Sequence, residues 1–388
     1  MDKSSLALSR RGFLKGSSAA LGGLVLSTWL PGFAPRSVAA EATAAGRLGD
    51  QSPRAYGAFV RVGHDGLVTV ISPKIEMGQG AHTGIAMMVA EELEVALESV
   101  SVEDAPPDSE LYADSLMQFQ ATGGSTSTRH AWQPLREAGA TARMLLIQAA
   151  AASWGVEAAQ CHASNGKVIG PAGQEAAYGE LVDAASALPL PSEVTLKTPE
   201  QFRLLGTPAP RIDTPAKVNG KAKFTIDLTV PGMLIASTLT CPVYGGKLRS
   251  LDMVGARQVP GVRDVITLDN AVAVTATNYW ACQQALKALK VDWDLGEHAS
   301  ISSPQLDDAL QQASARDGVV AHANGDIAKA LEGAASRFEA VYEQAFLSHS
   351  PLEPMTCVAH VRADACELWV GTQVPVFAQQ TAAKLTGL

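Results

Sequence analysis

Three short segments place glycine beside hydroxyl, amide or ionisable side chains at spacings that suit chemistry. The first is Glu76-Met77-Gly78-Gln79-Gly80-Ala81-His82-Thr83-Gly84, which follows a β-rich run and opens a helical pattern. Glycines let a backbone approach a ligand closely, and a helix start offers unpaired N–H groups to an anion. The same arrangement also serves as a plain strand-to-helix turn. The second is Thr122-Gly123-Gly124-Ser125-Thr126-Ser127-Thr128, just before a long helix. Its hydroxyls and exposed amides suit a pyrophosphate, or simply an N-capping serine after a glycine turn. The third runs from Phe346 through His349 and Glu353 to Met355 and is followed by Trp369-Val370-Gly371-Thr372-Gln373-Val374-Pro375. His349 and Glu353 are acid–base types, and equally ordinary structural residues of a β-rich segment. None of the three is a Walker A loop, a G-x-G-x-x-G fingerprint, a G-x-S-x-G elbow or an H-E-x-x-H helix, so the common nucleotide folds and hydrolases are not indicated.

The elements that would position these segments follow from periodicity. Two β-rich runs, 57–62 and 67–71, flank His64-Asp65-Gly66, and Asp-Gly is a strong hairpin signal. A helix is predicted over 84–98, with Ile85, Met88, Val89 and Leu93 on one face. A longer one is predicted over 131–153, where Leu135, Ala138, Ala142, Leu145, Leu146 and Ala149 form the apolar stripe. Residues 188–215 are proline-rich and read as a linker. Beyond them, strands are predicted at 224–228, 234–240, 262–268 and 272–275, a helix at 281–290, and a further strand at 291–293. The stretch 301–324 is polar and peripheral, and a third β-rich region starts near Phe338. The pattern is α+β.

At 388 residues the chain has room for two or three domains of about 150 residues each. Hydrophobic residues make up 47% and charged residues 18%, enough for a sizeable core and too little charge for disorder. The formal net charge of −9 gives no basic footprint for nucleic acid or anionic lipid. The five cysteines, Cys161, Cys241, Cys282, Cys357 and Cys366, form no C-x-x-C pair and no metal spacing with histidine, so an iron–sulfur or zinc centre would have to sit on a partner. The first 40 residues differ from the rest. Ser9-Arg10-Arg11-Gly12-Phe13-Leu14-Lys15 is a twin-arginine motif, an apolar run follows from Ala19 to about Leu30, and Val38-Ala39-Ala40 supplies small cleavage-site residues. The run is shorter than the roughly 20 residues that span a bilayer, so it reads as a signal peptide and not an anchor. The expectation is periplasmic export of a protein folded beforehand, with its cofactor acquired in the cytoplasm.

Taken in order, Met-Gly-Gln-Gly, Ala-Glu-Glu-Leu, Gly-Gly-Ser-Thr-Ser, Leu-Arg-Glu-Ala-Gly-Ala-Thr-Ala-Arg, Arg-Ile-Asp-Thr-Pro-Ala-Lys-Val, Pro-Gly-Met-Leu, Leu-Glu-Pro-Met and Thr-Gln-Val-Pro closely resemble the molybdopterin-binding subunits of the xanthine dehydrogenase and aldehyde oxidase superfamily. The isoquinoline 1-oxidoreductase beta branch, exported and permuted in order, is the nearest. The resemblance implies molybdenum held by the dithiolene of a molybdopterin cytosine dinucleotide, with no protein atom as metal ligand. It places Gly78, Gln79 and Gly80 in the loop that contacts the pterin. It places Ser125, Thr126 and Ser127 at the cofactor's phosphate and pterin edge, and makes Gln373 the glutamine that hydrogen-bonds an oxo group on molybdenum. It divides the chain into a signal peptide (1–40), a permuted molybdopterin-binding segment (50–205), an α/β hammerhead domain (210–295) and the start of the main molybdopterin-binding domain (335–388).

The resemblance also implies partners and a gap. The family's catalytic glutamate falls beyond Leu388, so no catalytic residue is assigned within the chain, and the expectation is that this chain is incomplete and inactive alone. Electrons would leave through a small subunit carrying a 2Fe–2S cluster, with a cytochrome c as a possible acceptor. The expected activity is hydroxylation of an N-heteroaromatic, or oxidation of an aldehyde, with water as the oxygen source. The alternative is a non-catalytic half-subunit that binds cofactor or partner, with a C-terminal half encoded separately or lost.

Overall fold

The computed structural model describes the strand Gly23–Thr28 and residues 57–388. The twin-arginine motif and Val38-Ala39-Ala40 lie outside the described residues. The chain divides into two compact units, one of Met1–Asp227 with Glu353–Leu388 and one of Leu228–Leu352.

The first unit is built on a four-stranded sheet in the order β1 (Gly23–Thr28), β2 (Gly57–Gly63), β3 (Val68–Ser72), β4 (Val100–Asp104). Strands β2 and β3 form the expected hairpin, with Gly66 at a φ of 78° where a side chain would be strained. Strand β4 runs parallel to β3, which requires a crossover, and helix α1 (Ala81–Leu93) supplies it. The short helix α2 (Ser109–Tyr112) precedes the long helix α3 (Ser127–Trp154). All six stripe residues of α3 are buried, in one core with Phe59, Val60, Val62, Val68, Val70, Ile85, Met88, Val89 and Leu93. Helix α1 stops short of the predicted boundary because Glu94 takes a left-handed conformation, φ 57°, and its N–H caps Ala90 O. Gly139 sets the spacing of α1 and α3: a Cβ there would stand 2.9 Å from the Val89 carbonyl oxygen. A small antiparallel sheet of β5 (His162–Ser164), β6 (Lys167–Ile169) and β7 (Glu175–Ala177) leads into α4 (Tyr178–Ser186), whose Tyr178 hydroxyl donates to Leu93 O at 2.6 Å.

The segment expected to be a linker is instead fastened to α1. The Glu91 carboxylate accepts the N–H groups of Arg203, Leu204 and Leu205 at 2.9, 2.6 and 3.0 Å, and pairs with Lys197 Nζ at 2.7 Å. Fully buried Glu92 accepts from Arg136 Nε and Nη2 at 2.9 and 2.7 Å and from the Lys197 N–H at 3.2 Å. A buried carboxylate needs such partners, and these two come from successive residues of one helix. Beyond the segment lies the short helix α5 (Thr214–Val218), and Thr225–Asp227 forms a 3₁₀ turn where a strand was predicted.

The second unit carries an antiparallel sheet of β10 (Val262–Thr267), β11 (Ala271–Ala276) and β8 (Ile235–Thr240), and a ribbon of β12 (Lys290–Asp294) with β9 (Lys247–Asp252). Helices α6 (Val254–Arg257) and α7 (Tyr279–Ala288) cover a core of Ala256, Val265, Val272, Val274 and Ala285. The polar stretch after it forms α8 (Ser303–Ser314) and α9 (Ile327–Glu332). The predicted β-rich start near Phe338 is not a strand, since no described residue supplies a partner for it. Back in the first unit, β13 (Cys357–Val361) and β14 (Cys366–Val370) form a hairpin that leads into α10 (Pro375–Thr386). The fold is α+β, and among the described residues no helix is long and apolar enough to cross a membrane.

Candidate cofactor site

Three loops of the first unit meet at Thr122. The Ile75 N–H, at the root of the first glycine loop, donates to Thr122 Oγ1 at 2.8 Å. The Thr122 N–H donates to Gln373 O at 2.9 Å, and Gln373 Nε2 donates back to Thr122 O at 2.6 Å. Gln373 is therefore fixed beside the Gly123-Gly124 turn, with its Nε2 4.0 Å from where a Gly123 Cβ would be. An amide nitrogen carries two hydrogens, so Nε2 keeps a second N–H for another acceptor. Phe119 stacks on Phe377, with centroids 5.0 Å apart, and ties the turn to α10.

Beneath the turn lies an ion pair that the residue pattern did not single out. Lys74 follows β3 with a fully buried side chain and pairs with the equally buried Asp114. Its Nζ also donates to Ala121 O at 2.8 Å and Thr126 Oγ1 at 3.2 Å. Asp114 in turn accepts from the Thr126 hydroxyl and from the N–H groups of Leu116 and Met117 at 2.8 and 3.1 Å. Burial pulls the Lys74 pKa down against the opposing pull of Asp114. Burial would raise the Asp114 carboxyl, but its bonds to Lys74, Thr126 and the two amides outweigh that and hold it well below the usual carboxylate range. Of the residues assigned from the sequence, Thr126 thus faces inward as part of the scaffold. Ser125 is exposed and Ser127 half-buried at the start of α3. Ser125 sits at φ 55°, a left-handed conformation that disfavours a serine by about 1–2 kcal/mol. The only signal for Lys74 in the sequence was a lysine set between apolar runs at a strand end.

The first glycine loop corrects one expectation. Its amides are not left open for an anion, because Glu76 fills the place itself. Its carboxylate accepts the N–H groups of Gly78, Gly80 and His82 at 2.8, 3.0 and 3.1 Å. Burial acts to raise the Glu76 pKa, and these bonds with the nearby Arg211 charge bring it down overall. Arg211 clamps the loop by donating to Gly78 O at 2.9 Å, while its Nε and Nη2 form a fork onto Asp213 at 3.0 and 2.8 Å. Gln79 also turns inward: its Oε1 accepts the Met77 N–H and its Nε2 donates to Ile75 O. What remains outward is bare backbone. Gly78 and Gly80 have φ of 103° and 84°, and a Cβ on either would meet nothing within 4 Å.

His349 and Glu353 do not join this site. Glu353 accepts the Thr225 N–H at 3.4 Å and lies against Gly371, while His349 is exposed in the second unit. Among the described residues no group of three or more His, Cys, Asp or Glu converges on a point that could hold a metal, and the five cysteines are free thiols.

The donors present fit a molybdopterin. Open glycine backbone at Gly78 and Gly80 suits a large flat group, and the α3 start, where no side chain caps the helix, offers amides and the Ser125 and Ser127 hydroxyls to an anion.

Comparison with known proteins agrees with this chemistry. The family model described as the molybdopterin cofactor-binding domain matches residues 32–226, and a second model of the same description matches residues 311–388. The chain belongs to the molybdopterin-binding proteins of the xanthine dehydrogenase family. It is similar to the beta subunit of isoquinoline 1-oxidoreductase from Brevundimonas diminuta, at 33% identity over 98% of this chain and 54% of that protein. It is also similar to one of the subunits of nicotinate dehydrogenase from Pseudomonas putida, at 28% identity over 83% of this chain and 27% of that protein. The membrane-bound aldehyde dehydrogenase of Gluconacetobacter polyoxogenes is 29% identical over 97% of this chain and 49% of that protein. The chain thus spans about half the length, or less, of these relatives.

Proposed function

We propose that the chain is the molybdenum-binding subunit, or the part of it spanned here, of a periplasmic molybdenum hydroxylase that oxidises an N-heteroaromatic or an aldehyde with water as the oxygen source. The observation that carries the reading is the meeting of the Gly78–Gly80 loop, the Gly123-Gly124 turn and Gln373 at Thr122. The molybdenum of a bound molybdopterin cytosine dinucleotide supplies two-electron oxidation coupled to oxygen transfer. The chain's own residues hold and orient that cofactor. The α3 start with Ser125 and Ser127 would receive its anionic oxygens, and the open backbone of Gly78 and Gly80 would hold its flat ring system. Gln373 presents its second amide N–H, its orientation fixed by the bond to Thr122. Lys74 and Asp114 keep the turn in place from below.

Electron transfer falls to a small 2Fe–2S protein, with a cytochrome c downstream. Arg10-Arg11 with its apolar run and small-residue site supports export after cofactor insertion. The test is to produce the chain in a host that makes the cytosine dinucleotide cofactor and to measure molybdenum and released CMP. The expected result is about one of each per chain, lowered at least about tenfold by Gln373→Ala with Gly123→Val, in line with second-sphere losses at metal sites. Folded protein without molybdenum refutes the reading. Molybdenum without turnover, even beside the 2Fe–2S protein, identifies a cofactor-binding half-subunit instead.

A further inference from the structure

The glycine loop at the start of α1 has the donor set of an anion site, and its own chain supplies the anion. A helix start leaves N–H groups without intrahelical partners, and amides that converge in a left-handed turn form a concavity for negative charge. Here the amides of Gly78, Gly80 and His82 all donate to one carboxylate. Glu76 Oε1 takes the first two at 2.8 and 3.0 Å, and Oε2 takes the third at 3.1 Å. Arg211 Nη2 stands 3.3 Å from Oε1, so this carboxylate, with its side chain only 10% exposed, also has a counter-ion. Three bonds fix the loop to its surroundings. Arg211 Nη1 donates to Gly78 O at 2.9 Å, His82 Nε2 donates to Lys74 O at 3.0 Å, and Thr83 Oγ1 accepts the Ile212 N–H at 3.2 Å. The Gly123-Gly124 turn is built the opposite way. No acidic residue lies in the first turn of α3, and the Thr126 hydroxyl before it is turned to Asp114 beneath.

We propose that Glu76 is a resident anion and that Glu76 and Arg211 are positioning residues, holding Gly78 and Gly80 in place and barring phosphate, free or carried by a ligand, from this loop. A second anion on these amides must displace a carboxylate tethered to the loop itself, or sit beside it against like-charge repulsion. The two glycine turns therefore differ in sign: one is filled and neutralised, and the other is open to negative charge. A long ligand with one anionic end is thereby given a direction between them. That direction rests on the cofactor named under the proposed function, whereas the filling of the loop is a property of the chain alone.

The test uses the full chain without cofactor and a titration with inorganic phosphate, reading hydrogen exchange in the loop and, as a check on folding, in α1 and α3. In the wild type, phosphate is expected to leave the loop unchanged. Glu76→Ala speeds the amides of Gly78, Gly80 and His82 by at least about tenfold, since each loses a charge-assisted bond, and phosphate then slows them again in a saturable way. Arg211→Gln also loosens these amides, but phosphate does not restore them, because Glu76 still fills the loop. Where the alanine variant does not fold, Glu76→Gln, which keeps the side-chain volume and one acceptor oxygen, must likewise loosen the loop and respond to phosphate. The proposal is overturned by phosphate protection of the wild-type loop, by unaltered exchange in the Glu76 variants, or by a loosened loop that phosphate does not slow while α1 and α3 stay protected. Molybdenum and CMP are read separately in the cofactor-making host. A Glu76→Ala chain that loads as fully as wild type overturns the positioning role. A wild-type chain that folds without molybdenum sinks the proposed function and leaves the loop measurements standing.

Discussion

Replacing Lys74 by methionine keeps most of the stem's volume and deletes one buried charge. The ammonium serves three acceptors, Asp114, Ala121 O and Thr126 Oγ1, and its loss leaves the Asp114 carboxylate buried without a counter-ion. Breaking a buried pair from one side costs about 3–5 kcal/mol, several times the worth of an exposed pair. Lys74→Met is therefore expected to destabilise the first unit by about that amount at pH 7. The assay is urea unfolding followed by hydrogen exchange at α1 and α3, which share one core. The pH dependence adds a second constraint. Asp114's folded pKa lies below its ordinary 3.8, so it contributes stability above that value and loses it as pH falls through the folded one. Lys74 is the main group holding it down, so the deficit of the variant is largest at neutral pH and shrinks as Asp114 protonates. Asp114→Asn keeps an acceptor for the Leu116 and Met117 amides, and the double variant should cost at least about 1–2 kcal/mol less than the two single costs added. Additive costs, or a Lys74→Met deficit below about 1 kcal/mol, would refute the claim that this pair holds the turn.

Gly139→Ala gains about 1 kcal/mol of helix propensity in α3, but its Cβ would stand 2.9 Å from Val89 O and 3.1 Å from Glu92 Cβ, and prising two helices apart costs about 1–3 kcal/mol. Net destabilisation in thermal unfolding is expected, and a variant more stable than wild type contradicts the close approach. Burial, with the Lys74 charge beside it, pulls the His130 pKa from 6.5 to about 4. The unfolded chain then takes up this proton first, so stability falls as pH drops from about 6.5 to about 4, by about 3 kcal/mol in all. An NMR titration of the His130 ring checks this: a midpoint near 6.5 shows the ring to be solvated.

Most of the scaffold was legible because it rests on local periodicity. The stripe of α3 and the Asp65-Gly66 hairpin are patterns of neighbours, and the structure keeps both. What the sequence hid is set by partners distant along the chain. Glu76 has no signature as the residue that fills its own loop's amides, because the claim depends on how 76–82 curls. Residues 188–215 look like a linker by composition, and it is the carboxylates of Glu91 and Glu92 with Arg136 and Arg143 that fasten 195–205 as packed structure. Lys74 and Asp114 are 40 residues apart and meet only once β3 and the turn are both in place. Residues 338–347 show the opposite failure: the composition is that of a strand, and among the described residues no backbone–backbone hydrogen bond pairs them. The motifs that carried the resemblance divide in the same way, since Ala-Glu-Glu-Leu and the arginines of α3 are fasteners, while the glycine turns and Gln373 meet at Thr122.

The bond from Gln373 to Thr122 spans 251 positions. A ribosome adding roughly 5–20 residues each second needs roughly 13–50 s to travel that interval. For all of that time the Gly123-Gly124 turn has its lysine and aspartate beneath it but no amide above. Gln373 thus reaches the turn well after the residues beneath it, so a ligand that needs both the turn and the Gln373 amide would be gripped only after that interval.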